Sequence, residues 1–225
     1  MRRFAISDIH GCAKSFRALM AMVNLSKKDE LYILGDLIDR GPDSKGVVDY
    51  IWELQAKGHQ VFCIRGNHDQ MLLDAQNDME WHKTWKLAGG DKTMESFGVD
   101  RSANIPQKYL DFFSSLPFHI EVAEYVLVHA GFSFNLSNPF DEFHSMLWRK
   151  HHWYDQIDQK WLGDRIIIHG HVPKKKNIIS LMLKQLDLTP VLAIDNGCVF
   201  NKLGLGRLCA FEMTHRELYF QEYVD

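Results

Sequence analysis

An α/β fold with two packed sheets is predicted by three features of the sequence. Short apolar runs alternate with helical stretches over the first 70 residues, strand-like runs dominate after Pro117, and a polar, glycine-containing cluster follows each early strand. Phe4-Ala5-Ile6 reads as the first strand, and Ser15 to Val23 as an amphipathic helix with Phe16, Leu19, Met20 and Val23 on one face. Leu31 to Leu34 is a second strand. Ser44 to Lys57 is a second helix, in which Val47, Val48, Ile51, Trp52 and Leu54 recur at helical spacing until Gly58 stops it. Val61 to Ile64 is a third strand, and the β-α-β-α-β order predicts a parallel sheet. From about Asp69 to Pro117 the pattern is helical and Trp-rich, broken at Gly89-Gly90. Phe118 to Val122, Val126 to Val128, Ile166 to Ile168, Val191 to Ile194 and Leu208 to Phe211 then read as strands of a second sheet packed on the first.

The 225 residues amount to about 1.5 average domains, so one domain over 1–225 with a helical insertion at about 69–117 is expected. Hydrophobic residues make up 46% and charged residues 24%, which excludes a disordered chain. A net charge of −3 gives no general pull toward nucleic acid or an anionic membrane. No apolar run approaches the roughly 20 residues that span a bilayer. The start, Met1 to Asp8, lacks the apolar stretch of a signal peptide, so a cytoplasmic protein is expected. Cys12, Cys63, Cys198 and Cys209 are widely spread, and Cys63 and Cys209 sit in apolar runs as expected of core residues.

Three consecutive strands end in chemistry-bearing clusters. These are Ser7-Asp8-Ile9-His10-Gly11, Gly35-Asp36-Leu37-Ile38-Asp39-Arg40-Gly41 and Arg65-Gly66-Asn67-His68-Asp69. Parallel strands bring such carboxyl-end clusters to one sheet edge, where ligands of α/β proteins bind. A set of Asp, His and Asn suits a divalent ion such as manganese, iron or zinc, and crowded carboxylates need cations between them. Arg40 and Arg65 beside such ions describe a clamp for a tetrahedral dianion, most naturally phosphate. Val126-Leu127-Val128-His129-Ala130-Gly131 and Ile166-Ile167-Ile168-His169-Gly170-His171 place further histidines after apolar runs. Each cluster alone is an ordinary turn or helix start. Their shared order and spacing is what points to chemistry.

In that order the five clusters resemble the phosphoprotein-phosphatase branch of the calcineurin-like metallophosphoesterases. The family pattern runs Asp-x-His, Gly-Asp-x-x-Asp-Arg-Gly, Gly-Asn-His-Glu/Asp, His-Ala/Gly-Gly and a final Gly-His. Asp195-Asn196-Gly197-Cys198 and Gly206-Arg207-Leu208 resemble the tail of its compact bacterial members. The resemblance implies a two-sheet mixed β-sandwich flanked by helices in four layers. It also implies a serine/threonine protein phosphatase holding two divalent metal ions, manganese foremost, and acting on a phosphorylated protein or small phosphorylated substrate. Asp8, His10 and Asp36 would hold the first ion, and Asp36 would bridge to a second held by Asn67, His129 and His171. Water activated between the ions would attack phosphorus in line. Arg40 and Arg65 would hold the phosphoryl oxygens, with Arg149 as a further phosphate-binding arginine, and His68, paired with Asp39, would protonate the leaving oxygen.

His169 is expected to be structural. Asp69 stands where many protein phosphatases have Glu, and the C-terminal segment of the eukaryotic enzymes has no counterpart. Both departures leave a symmetrical diadenosine tetraphosphate hydrolase as the rival reading. A silent binding module would show eroded ligands, and every one is present. Lys174-Lys175-Lys176 reads as a solvated turn, His151, His152 and Trp153 as surface packing, and Trp81, Trp85 and Phe97 as the core of the insertion.

Overall fold

The computed structural model describes residues 1–150 and 153–225, so the expectation for His151 and His152 lies outside the described residues. Strands β1 (Arg3–Ile6), β2 (Glu30–Ile33) and β3 (Gln60–Cys63) are joined by helices α1 (Ala13–Met22) and α2 (Ser44–Ala56). β1 runs parallel to β2, from Arg3 opposite Glu30 to Ile6 opposite Ile33, and β2 runs parallel to β3. The Asp43 carboxylate caps α2 by accepting from the Gly46 amide at 2.8 Å. Helices α3 (Asn67–Asp74), α4 (Met79–Trp85), α5 (Asp91–Phe97) and α6 (Gln107–Ser115) follow, and a single π turn at Lys86–Gly90 breaks the run at Gly89.

The second sheet holds β4 (His119–Val122), β5 (Tyr125–Val128), β6 (Ile166–His169) and β7 (Val191–Ala193) in that order, the last three parallel. Short helices α7 (Phe143–Trp148) and α8 (Gln159–Leu162) precede β6, and α9 (Lys176–Lys184) follows it. β8 (Arg207–Glu212) returns antiparallel to β1, and β9 (Glu217–Glu222) closes the first sheet in the order β3-β2-β1-β8-β9.

Three apolar layers hold the sandwich together. Ala5, Tyr32 and Ile64 from one sheet meet Leu127, Ile168 and Leu192 from the other. Phe4, Ile6, Leu31 and Ile33 face Phe16, Leu19, Val47 and Ile51 of α1 and α2. Val126, Ile167 and Val191 back onto Phe132, Met146 and Trp153. β5 and β6 are therefore buried on both faces, which explains their unbroken apolar runs. Each large side chain so buried stabilises the fold by about 1.5–3 kcal/mol. The two-sheet sandwich expected from the resemblance is what the chain forms.

Four local expectations change. Trp153, expected as surface packing, is buried with Phe132 and Met146 because it covers the outer face of β5 and β6. β9 is an added edge strand in which Leu218 and Phe220 turn toward the inter-sheet layer while Tyr219 meets the other core; its charged ends, Glu217 and Glu222, mask the alternation. Lys176 belongs to α9, whose Ile179 is buried in the inter-sheet layer, so the lysine triplet is a helix start as well as a turn. Trp85 is buried and Phe97 packs on the core, but Trp81 is 41% exposed, because it lies on the solvent face of α4. All four cysteines are buried free thiols.

A half-buried ion pair ties the chain start to β2. Asp29 accepts from the Arg2 amide at 3.0 Å, the Arg2 guanidinium at 2.7 Å, and the Ser26 amide and hydroxyl at 2.9 and 2.8 Å. Burial alone would raise this carboxyl, yet the Arg2 and Ser26 donors outweigh it and hold Asp29 well below the usual carboxylate range. A depressed folded-state pKa gives stability that is present above the unfolded value, near 3.9, and is lost as pH falls below it. Asp29→Asn is expected to lower stability by about 2–3 kcal/mol at neutral pH, a loss of charged hydrogen bonds. The gap between variant and parent should narrow in melts taken from pH 6 down to pH 2. A gap independent of pH would show that the charge contributes nothing.

Candidate active site

The carboxyl ends of β1, β2, β3, β5 and β6 converge on one cleft. Asp8 and His10 follow β1, Asp36 to Arg40 follow β2, Asn67 and His68 open α3 after β3, His129 follows β5 and His171 follows β6. Asp8, His10, Asp36, Asp39, Arg40 and His171 all have left-handed backbones, with φ between 47° and 73°. Among the described non-glycine residues only Asn24, Ala123 and Arg216 share that conformation. Such residues cost on the order of 1–3 kcal/mol each and cluster where function holds them. Gly66 lets the β2 and β3 loops touch, because a Cβ there would lie 2.2 Å from the Asp36 amide and carboxylate. The His68 amide accordingly donates to Asp36 Oδ1 at 3.0 Å.

Histidine orientation is fixed from behind. His10 Nδ1 donates to the Ile38 carbonyl at 2.9 Å, and His129 Nδ1 to the Leu34 carbonyl at 2.8 Å. Each Nε2 therefore carries its lone pair into the cleft. His129 Nε2 lies 2.9 Å from Asn67 Oδ1, 3.2 Å from His171 Nδ1 and 3.5 Å from Asp36 Oδ1. Asn67 Oδ1 and an ionised Asp36 can only accept, and the buried His171 Nε2 has no hydrogen-bond partner. Even with the one ring proton of His171 and the His68 amide counted, lone pairs outnumber donors here; a cation resolves such an excess, so the residues fit a metal ion. Two groups have ligand atoms within 4.8 Å of one another, His10-Asp36-His68 and Asp36-His129-His171, and Asp36 is common to both.

Electrostatics agrees with that fit. Burial, reinforced by Asp8, pushes Asp36 well above the usual carboxylate range, and burial likewise raises Asp8 and Asp195. Burial also pushes His10 well down and His171 to about 2, so both imidazoles are neutral. Neutral imidazoles and crowded carboxylates short of countercharge are the protonation states from which divalent ions are bound.

Asp8 stands outside the two compact groups, since both its oxygens accept from the His171 amide, at 3.1 and 3.0 Å. Arg40 reaches the cleft, with a guanidinium nitrogen 2.7 Å from His10 Nε2. Arg65 and Arg149 do not. Arg65 bonds Gln70 and the Ser114 carbonyl and lies over Phe118, and Arg149 bonds Gln156 at 2.8 Å. Trp148 and Lys150, which flank Arg149, line the cleft instead, with Met71, Ala88 and Pro173, around a volume of about 390 Å³. His68 Nδ1 meets Asp39 Oδ2 at 2.7 Å, as the paired roles require. His169 is held by Tyr154 at 2.6 Å, away from the ligand atoms, in keeping with a structural residue.

The family model for calcineurin-like phosphoesterases matches residues 1–197. The chain belongs to that family. Phosphoesterases of this family work through a dinuclear metal centre, and the two His/Asp groups of the cleft could each hold a metal ion. Over 220 residues, 91% of each chain, it is 26% identical to serine/threonine-protein phosphatase 1 of Salmonella typhimurium. It is 24% identical to the asymmetrical bis(5'-nucleosyl)-tetraphosphatase of Oceanobacillus iheyensis, over 94% of this chain and 88% of that one. A 74-residue stretch is 46% identical to the symmetrical bis(5'-nucleosyl)-tetraphosphatase of Buchnera aphidicola; it spans 32% of this chain and only 26% of that protein. A serine/threonine protein phosphatase from Saccharomyces cerevisiae superposes with a TM-score of 0.67 over all of this chain and 81% of its own, at 15% identity, a likeness of fold.

Further residues brace the cleft beyond the ligands and arginines assigned from the sequence. The Trp85 indole and the Thr93 hydroxyl both donate to Asp39, and the motif pattern carries no trace of this because both lie in the insertion. Asp69 accepts from the amides of Asp36, Leu37 and Gly66 at 3.0, 3.1 and 2.8 Å, which fixes the β2 loop with a shorter side chain than the Glu common at that place. Asp195, given no role in the sequence beyond the tail resemblance, is buried next to Asp8 and follows β7 in the same polar-glycine style as the assigned ligands.

Proposed function

We propose that this phosphoesterase is a metal-dependent phosphomonoesterase acting on phosphoserine and phosphothreonine in proteins. The His68–Asp39 pair beside two metal-fitting groups is the observation that carries the reading. Asp36 with His10 and Asp8 would hold one divalent ion, and Asp36 with Asn67, His129 and His171 a second; manganese, iron and zinc all suit such donors. When bound, the ions supply an activated water and neutralise phosphoryl charge. Arg40 binds the non-bridging oxygens, whose charge the transition state redistributes. Asp39 holds the His68 Nδ1 proton and turns the other ring nitrogen to the cleft, where it delivers a proton to the leaving alkoxide. Burial and the Arg40 charge push His68 down. A phosphate dianion against Arg40 works in the opposite direction and favours the imidazolium.

Protein substrates are supported by the match to the Salmonella phosphatase, 26% identical over 91% of both chains, against 24% for the equally extended match to the Oceanobacillus tetraphosphatase. Dinucleoside tetraphosphate is the second reading, supported by Lys150, a cation at the cleft that a longer phosphate chain would use. Kinetics of the manganese-loaded protein on phosphoserine peptides and on diadenosine tetraphosphate separate the two. The expected result is a kcat/KM at least tenfold higher on the peptides; the reverse ratio would replace the first reading by the second.

A further inference from the structure

The Asp39 carboxylate is completely buried, yet only one of its bonds goes to His68. The Trp85 indole N–H donates to both carboxylate oxygens, at 3.1 and 2.9 Å, and the Thr93 hydroxyl donates to Oδ1 at 2.6 Å. The same Thr93 oxygen accepts from the Asp39 amide at 2.9 Å and meets the Ser44 hydroxyl at 2.9 Å. Ser44 in turn accepts from the Asp39 amide at 3.1 Å. Every hydroxyl proton of this set has an assignment: Ser44 donates to Thr93, Thr93 donates to the carboxylate, and the Asp39 amide is shared between them.

We propose that Trp85 and Thr93, both from the 69–117 insertion, are positioning residues that set the Asp39 carboxylate against His68. The proposal rests on the reading of His68 as the proton donor. A carboxylate bonded to one imidazole remains free to turn about its own axis. Bonds from Trp85 and Thr93 stop that rotation and leave one Oδ2 lone pair for His68 Nδ1, at 2.7 Å. Residue 39 needs such support because its backbone is left-handed, with φ of 73°.

The π turn builds this cradle. Trp85 ends α4, and its ring lies so close to Gly90 that a Cβ there would come within 2.4 Å of it. Gly89, with φ of 118°, presents its carbonyl to the Arg40 amide at 3.1 Å, and a Cβ at Gly89 would sit 2.7 Å from the Arg40 side chain. Residues 85 to 93 thus meet both Asp39 and Arg40. A segment that holds no metal-fitting residue would in this way govern proton delivery.

Trp85→Phe removes the indole N–H and keeps an aromatic ring; Thr93→Val removes the hydroxyl at nearly constant shape, and Thr93→Ser restores it. The readout is kcat on a phosphoserine peptide divided by kcat on nitrophenyl phosphate, measured with metal content and thermal melting. Outer partners of this kind are typically worth about 10–100-fold. The peptide-to-aryl ratio is expected to fall by about tenfold or more in Trp85→Phe and in Thr93→Val, and to recover in Thr93→Ser. Within a His68→Asn background neither change should alter the ratio further, because residues acting as a unit are not additive. Equal losses on both substrates, or a Thr93→Ser protein as impaired as Thr93→Val, would overturn the proposal. If Thr93→Val fails to fold, Trp85→Phe decides by the same ratio. A His68→Asn protein with an unchanged ratio would instead sink the proton-donor reading itself, so the two failures are told apart.

Discussion

Asp36→Asn should strip metal from both halves of the cleft at once, whereas His129→Ala should leave one ion in place. Asp36 alone belongs to both compact ligand groups, with Oδ2 3.5 Å from His10 Nε2 and Oδ1 3.5 Å from His129 Nε2. An amide of the same shape keeps the backbone bonds to Asp69 and supplies no charge to hold a dication. Thermal stability should show the same switch with opposite signs. Burial and Asp8 raise Asp36, so its ionised form opposes folding, and metal-free stability is full below the unfolded value and is lost as pH rises from there through the raised folded value. In chelator, Asp36→Asn is therefore expected to melt above the parent protein. With manganese at 100 times its dissociation constant the parent gains about 2.7 kcal/mol per site and the order reverses. Elemental analysis of the gel-filtered proteins checks the first half and melting curves the second. Two ions per chain retained in Asp36→Asn would remove Asp36 as the bridge.

Legibility of the fold followed from where the sequence periodicity was undiluted. β1 to β3, α1 and α2 were readable because their apolar runs match what is buried: β1 and β2 are buried on both faces, and Phe16, Leu19 and Met20 share one buried face of α1. β9 and α9 were not, because charged residues begin both elements and little of either is fully buried: β9 is half-buried between its charged ends, and α9 buries only Ile179. At the site the contrast is sharper. Metal-fitting residues sit immediately after strands, so chain order alone placed His10, Asp36, Asn67, His129 and His171 together. Side chains long enough to turn away escaped that logic: Arg65 and Arg149 follow the motif pattern, yet their guanidinium groups take Gln70, Ser114 and Gln156 as partners. The donors to Asp39 escaped it too, since Trp85 and Thr93 are 46 and 54 residues distant in sequence and signal only helix and core.

His68→Asn carries the other large effect, and its size should depend on the leaving group. A proton donor matters in proportion to how poor the departing oxygen is. Serine alkoxide is a very poor leaving group, phenolate with a pKa of about 10 is intermediate, and nitrophenolate departs with little help. Proton transfer by a positioned side chain is typically worth about 10²–10⁴-fold. His68→Asn is therefore expected to lower kcat by that amount on phosphoserine peptides, less on phenyl phosphate and least on nitrophenyl phosphate. The geometry also poses an alternative that the same variant tests. His68 lies in one compact group with His10 and Asp36, its ring edge-on to His10 at 4.9 Å between centroids. Its Nδ1 is taken by Asp39 at 2.7 Å, which leaves the other nitrogen either for a metal or for the leaving oxygen. A proton donor predicts two ions per chain in the variant and a graded loss across the three substrates. A ligand predicts a missing ion and a uniform loss, and that outcome would move His68 from the proton to the metal.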